Sequence, residues 1–517
     1  MQRIPYRGLD LQTDYRSKQM KTAVIIGGGL GGLFTGAILS KEGLKVTVLE
    51  KNKTIGGGLQ SFRRFGEVFD TGMHVVGGMG PNGNIMRICR YLGIADKVNL
   101  RAVDPECSDV LYFAEDKSTY KLKNGKEGYI ESLSSYFPEE RSNIEAYVDK
   151  IFEIVRGIDL FNLRPPKSFL SLHSDMFLVS ANDFIARYFH DRRLKSIISC
   201  TNPFYGGRRD ETPAFIHAII NVLYIEGTHR FESGSSLFAH LLESVIIDAG
   251  GDVVSGDSVE WVEVNDKYVD YVRTQSGRRY AGDYYISAIH PCSLLKMISA
   301  GAFPKSYINR LNSIPNSYSA FSMYIKLKDN SFPYINHSEY YMTRYNDIWE
   351  FGNKEKQWPL GFLFMTPPEK NQGAYSNKIL VTAPMLFDDV LRWEDTTVGK
   401  RGEDYENWKE EKASQLLAMI EEIHPGIGKL IENVNTASPL TIRDFYGVKG
   451  GALSGFSKDC RNLALSQVPV VTKVRNLFLT GQNINLHGFC GVPLTAIITC
   501  EAILGQNYVI NKINSIC

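Results

Sequence analysis

The chain has almost no net charge. Its 58 Lys and Arg stand against 57 Asp and Glu, a formal balance of +1. That excludes the bulk attraction to phosphate on which nucleic-acid binding rests. Cysteine is sparse and unpatterned: eight residues, with no C-x-x-C pair and no metal-ligand spacing. No metal site is expected, and free thiols in a reducing cytoplasm are the simplest expectation. There is no G-x-S-x-G elbow, so Ser-His-Asp hydrolase chemistry has no support. There is also no long membrane-spanning run. Ala23 to Leu39 is nearly free of polar residues, but it is too short and too glycine-rich to span a bilayer. Residues 1–19 are polar and aperiodic, too polar for a signal peptide, and are expected to be an N-terminal extension ahead of a folded start at Met20-Lys21.

At 517 residues the chain exceeds one typical domain. Its 27 Tyr and 27 Phe suit a large apolar cavity and a large core equally well. The organising stretch is Ala23-Val-Ile-Ile-Gly27-Gly-Gly29-Leu30-Gly31-Gly32. Four apolar residues predict a short buried strand. Gly27, Gly29 and Gly32 then fit G-x-G-x-x-G, a helical run follows to Gly43, and Lys45 to Leu49 predicts a second strand with Glu50 at its tip. Strand, tight turn, helix, strand and acid make up the dinucleotide fingerprint in its required context. Gly27 allows the turn, Gly29 lets a pyrophosphate approach the backbone, and Gly32 lets the helix pack on the strand. The helix N-terminus faces the phosphates. Glu50 can accept from both ribose hydroxyls of an adenosine and would repel a 2′-phosphate.

A second cluster, Gly56-Gly57-Gly58-Leu59, follows soon after the acid. Plain NAD dehydrogenases do not need one. It suggests another close backbone approach to a larger cofactor, which FAD satisfies. Farther on the texture alternates. Residues 105–230 lack nucleotide signals and carry helical periodicity over 144–158, 182–189 and 213–224, with a break at Pro165-Pro166. Leu237 to Ile246 is a helix stopped by Gly250-Gly251, followed by strands and hairpins that return at Ala281 to Ala288. Residues 310–440 again have the look of a substrate layer. The expected fold is α/β: a Rossmann-like FAD-binding domain assembled from 20–104, 231–305 and 440–506, interleaved with an α+β substrate domain from 105–230 and 306–439, and a tail at 507–517.

Three motifs carry a resemblance that covers the chain from about Met20. They are the fingerprint through Glu50 with Gly56-Gly57, Phe69-Asp70-Thr71-Gly72-Met73-His74, and Asn476 to Gln482 followed by His487-Gly488 and Gly491-Val492-Pro493-Leu494-Thr495-Ala496. The chain resembles the flavin-dependent phytoene desaturase, carotenoid isomerase and retinol saturase group of the flavin amine oxidase superfamily. It departs from that pattern at Gly58, where the family often has a basic residue or Cys. The resemblance implies FAD contacts at Gly27, Gly29, Leu30, Gly31, Gly32, Glu50, Lys51, Gly56, Gly57, Gly58, Leu59, Gly481, Gln482, Gly491, Val492 and Pro493, with Pro493 opening a helix aimed at the flavin ring. His74 is the candidate catalytic residue, a structural histidine being its alternative. His487 is expected to hydrogen-bond backbone or to take part in the chemistry. The implied activity is hydride transfer at flavin N5 to or from an apolar polyene or isoprenoid, with an external electron donor or acceptor not identifiable. A flavin amine oxidase and a non-enzymatic prenyl-binding escort protein are the rivals. Such a substrate would be drawn from a membrane, so the expected cytoplasmic location leaves room for peripheral membrane contact.

Overall fold

The computed structural model describes residues 20–72, 74–165 and 175–516. The expected extension at 1–19, Pro166 of the expected break and Met73 lie outside the described residues.

Five strands form a parallel sheet: β1 (Thr22–Ile26), β2 (Lys45–Glu50), β3 (Asp252–Ser255), β4 (Tyr284–Ser287) and β5 (Leu477–Leu479). Their order is β3-β2-β1-β4-β5, with every neighbour parallel, the doubly wound order of dinucleotide-binding folds. β1 is an unbroken apolar run from Ala23 to Ile26 because a parallel strand is covered on both faces. Helix α1 (Leu30–Lys41) crosses from β1 to β2 and is buried from Leu30 to Ser40. It lies between α2 (Ser236–Asp248) and α3 (Gly488–Leu504), which is why this helix shows no polar face. The return strand expected over Ala281 to Ala288 is the shorter β4 and does not join the hairpin: Arg279–Tyr280, just before it, pairs with the antiparallel hairpin Val259–Asn265/Tyr268–Thr274, while β4 lies beside β1. Buried Tyr285 and Ile286 gain more from the covered centre of the parallel sheet than from a hairpin edge.

A second sheet of seven strands runs in the order Ile431–Ala437, Ser319–Leu327, Lys378–Met385, Gly361–Met365, Ser338–Met342, Asp109–Phe113 and Ser118–Leu122. Its pairs are antiparallel except Ser338–Met342 with Asp109–Phe113. Helix Glu403–Ile423 covers it through Ala413, Leu416 and Ile420. A helical group that includes Arg141–Arg156 and Ala214–Ile225 completes this half of the molecule and shares a core with the parallel-sheet layer. Where a tail was expected, Tyr508–Ile516 forms helix α4, burying Val509, Ile510 and Ile513 against α3 and helix Asn84–Leu92. A helix this short is held by tertiary packing and not by its own propensity.

Candidate functional site

The chain leaves β1 through Gly27, whose φ of +105° lies in the region glycine alone adopts freely. Its N–H donates to the Leu49 carbonyl at 2.8 Å, fastening the turn to the tip of β2. A Cβ on Gly32 would lie 1.9 Å from the Gly27 carbonyl oxygen, so only glycine lets α1 start so close to the strand. A Cβ on Gly31 would lie 2.9 Å from the Cα of Gly481, which comes from the far end of the chain. Thr35 and Thr480 meet beside it, hydroxyl to hydroxyl, at 3.2 Å. The second glycine cluster is built onto the first. Gly56 N–H donates to the Gly28 carbonyl at 2.8 Å, and Gly29 and Gly56 form a parallel bridge.

Glu50 is buried at the tip of β2. Its Oε2 accepts the Gly28 N–H and its Oε1 the Asn52 N–H, each at 2.8 Å. A carboxylate offers about four acceptor positions, so each oxygen keeps capacity for a ligand. Lys51 Nζ donates to the Asp444 carbonyl at 2.6 Å, at the end of helix Pro439–Tyr446, and burial lowers its pKa. Asp70 is a tether. Ser61 Oγ, Ser235 N–H and Ser235 Oγ all donate to its Oδ1, at 2.6, 2.8 and 3.0 Å, joining hairpin Ser61–Asp70 to the start of α2. Burial raises its pKa against the pull of these bonds.

These parts open onto one cavity of about 530 Å³, an ordinary size for a ligand site. One part of its wall carries Gly27, Gly29, Leu30, Gly31, Glu50, Lys51, Gly57 and Gly58; another carries Gly481, Gln482, Gly491, Val492, His74 and His487. The remainder comes largely from the second half of the molecule, including Phe204, Ile216, Ile219, Leu223, Tyr224, Tyr340 and Met342. Phe204 and Tyr224 stack face to face with centroids 4.8 Å apart, and Tyr340 meets Phe204 edge-on at 6.2 Å. Among the described residues, Glu50 and Lys51 are the only Asp, Glu, Lys or Arg side chains on the wall.

His74 faces this cavity. Burial, and after it the Arg230 guanidinium, holds its imidazole at about 3. At neutral pH it is uncharged: it can donate a hydrogen bond but has no imidazolium proton to give. Arg230 is 1 % exposed and donates to the Ile335 and Thr366 carbonyls and to Ser338 Oγ at 3.2 Å each. His487 does not make the backbone hydrogen bond that was one of its two expected roles. It is buried on the cavity wall, and among the described residues neither ring nitrogen has a hydrogen-bond partner. Its pKa is lowered to about 4 by burial and then by Lys458.

Four expected contacts are not on the wall: Gly32, Gly56, Leu59 and Pro493. Gly32 packs on the Gly27 carbonyl, Gly56 carries the bridge to Gly29, and Leu59 is fully buried. Pro493 does not open its helix. α3 begins at Gly488, φ +75°, and Pro493 lies buried inside it. The earlier start is possible because Gly491 has no Cβ, which would sit 2.5 Å from Leu486 Cβ. The free N–H end of α3 is therefore the turn Gly488–Gly491. Sequence reasoning missed Phe445, Tyr446 and Asn483 on the wall. Tyr446 donates to Thr71 Oγ1 at 3.1 Å. None of these carries a local signal, since each is an ordinary residue brought in by its element. No group of three metal-ligating side chains occurs among the described residues.

Residues 25–92 match a family described as an NAD(P)-binding Rossmann-like domain. Over 94% of its length the chain is 26% identical to the all-trans-retinol 13,14-reductase of Rattus norvegicus, covering 86% of that protein. It is 22% identical to prolycopene isomerase 2, chloroplastic, of an Oncidium hybrid cultivar, over 89% of this chain and 80% of that one. Among solved structures, a putrescine oxidase variant superposes with a TM-score of 0.64 at 13% identity, covering 96% of this chain and 99% of that one. That likeness is one of fold.

Proposed function

We propose that this chain is an FAD-dependent oxidoreductase that moves a hydride to or from a carbon–carbon bond of an apolar polyene or isoprenoid. One observation carries the proposal. A single cavity joins a glycine-walled, Glu50-bearing dinucleotide cradle to a wall that is apolar and free of carboxylates. Similarity to proteins named retinol reductase and prolycopene isomerase supports the substrate class.

The donor set fits FAD. Gly27, Gly29 and Gly31 with the N-terminus of α1 would hold the pyrophosphate, and Glu50 the adenosine ribose. Gly481, Gln482, Gly491 and Val492 would hold the ring portion. When bound, FAD supplies the hydride chemistry. The chain's own residues orient the substrate and keep water out. Phe204, Tyr224, Ile219 and Met342 offer an apolar bed, and neutral His74 offers a hydrogen-bond donor without a mobile proton. An external electron donor or acceptor completes the cycle. The substrate is drawn from a bilayer by peripheral contact; among the described residues no single helix is long and apolar enough to cross one.

A flavin amine oxidase is the second reading, favoured by the putrescine oxidase fold. Against it, the substrate wall holds no acid to meet an ammonium, and Phe204 and Tyr224 stack on each other with no gap between them to flank an amine. The test is an anaerobic titration of the FAD-loaded protein followed by its flavin spectrum. A polyene that reduces the oxidised flavin, or reoxidises the reduced one, is the expected result. Reduction by amines with polyenes inert would replace the proposal with the second reading. Protein that stays colourless with added FAD would leave a non-enzymatic binding role.

A further inference from the structure

His487 stands on the cavity wall immediately before α3, 6 % exposed, with both ring nitrogens unpartnered among the described residues. Burying a polar atom without a hydrogen-bond partner is unfavourable, and a ligand that supplies the partner removes the cost. Behind it lies Lys458, 7 % exposed. Its ammonium donates to the Ser466 carbonyl at 2.8 Å, and among the described residues no carboxylate pairs with it. The neighbouring Asp459 turns away and is taken by Arg461 at 2.9 Å. A buried cation without a counter-charge is strongly unfavourable. The Lys458 segment is tied to the cavity wall by the Phe456 N–H, which donates to Asn483 Oδ1 at 3.0 Å, and its charge is felt by His487, the residue before the positive end of α3. The orphaned His487 and the helix end share the wall with Gly481 and Gly491, and Lys458, not itself on the wall, adds positive charge to the same stretch through His487.

We propose that Lys458 and His487 act together to stabilise the negative charge that the ring of bound FAD carries once reduced. Lys458 supplies the charge and His487 the hydrogen-bonding contact. This rests on the FAD reading above and adds to it a means of setting the reduction potential. When bound, FAD would gain one negative charge with each hydride it took up, since a hydride carries two electrons and one proton. The substrate's second hydrogen moves separately, as a proton exchanged with water. His487 stays neutral beside Lys458, its pKa held at about 4 by burial and by that cation. Its role is therefore to donate a hydrogen bond and not a proton.

The test uses the purified FAD-loaded protein, with Lys458→Met, His487→Leu and His487→Gln. Two readouts are independent of turnover: the two-electron midpoint potential against reference dyes, and the affinity for sulfite, whose adduct with oxidised flavin places negative charge on the same ring. Lys458→Met is expected to weaken sulfite binding about tenfold and to lower the potential by the matching ~30 mV, the two-electron equivalent of tenfold. His487→Leu shifts both in the same direction, and His487→Gln, which keeps a donor, restores most of the shift. Lys458→Met should also raise the melting temperature of the FAD-free protein, because it removes an unpaired buried charge. A purely structural lysine would move neither potential nor sulfite affinity. Unchanged values in a Lys458→Met protein that holds FAD overturn this inference and leave the FAD reading standing. Failure of the wild-type protein to take up FAD overturns both. Should Lys458→Met not fold, the His487→Leu and His487→Gln pair decides the matter: equal potentials in the two overturn the inference.

Discussion

Single atoms decide much of the cradle. Gly31→Ala would place a Cβ 2.9 Å from the Cα of Gly481, and backbone cannot swing aside as a side chain can. Overpacking of this kind costs about 1–3 kcal/mol, and here the displaced segment is the cofactor wall. The variant is expected to lose most of its FAD while keeping its secondary structure, as the ratio of flavin to protein absorbance and circular dichroism will show. Gly80→Ala is the control: its Cβ would meet nothing within 4 Å, so its FAD content and melting point should match the wild type. Glu50→Gln tests the other wall of the cradle. Gln presents an amide N–H₂ where Gly28 or Asn52 now donates, leaving a buried donor facing a donor. FAD affinity should fall about tenfold or more in equilibrium titration. The fingerprint residues were legible at this scale because their job is local, a turn and a helix start encoded within ten residues. Lys458 and the orphaned His487 were not, because absence of a partner is a property of everything folded around them.

At the scale of elements, sequence periodicity located helices and strands well and placed their ends less well. Pro493 misled for a physical reason. Proline suits a first helical turn, but glycines at 488 and 491 allowed an earlier start, and close backbone packing outweighed the preference. Helix α4 was missed because nine residues carry little periodic signal, although its buried Ile513 anchors the end of the chain. Ile513→Ala should cost about 2–5 kcal/mol in urea unfolding. A second link joins the sheet to the helix that covers it. Glu339 accepts from His337 at 3.2 Å and from His424 at 2.6 Å. Burial alone would raise its pKa, but these hydrogen bonds outweigh burial and hold it near 2, against an ordinary value of 4.5. A depressed folded pKa contributes stability that is whole above pH ~4.5 and fades as pH falls toward 2. Denaturant midpoints measured across that window should drop steeply in the wild type. In Glu339→Gln they should start lower and show a shallower acid slope.

The whole molecule joins two chemically different halves around one void. The sequence pointed to interleaved layers, because nucleotide signals stop and resume. It could not reveal that their cavities are continuous, since that depends on how one layer sits on the other. The two parts should nonetheless be separable by substitution. Ile219→Trp fills the apolar part of the cavity away from the glycines. Its expected signature is unchanged FAD content with substrate-driven flavin reduction slowed more than tenfold, read in a stopped-flow spectrometer. Equal loss of FAD and activity would mean that the void does not extend as described.

The contact between Gly31 and Gly481 also has a consequence in time. A ribosome delivers the fingerprint long before the opposing wall at Gly481. The intervening layers have the opportunity to fold before the cradle has its second side, since domains of growing chains fold as they emerge. Until Gly481 and α3 have cleared the exit tunnel, nothing closes over the α1 turn, and nascent chains should not retain flavin. Cofactor capture then waits until the segment from Gly481 through α3 has been made. Chains stalled before residue 476 should emerge from synthesis colourless, even in excess FAD, and become targets for proteolysis, whereas released full-length chains turn yellow.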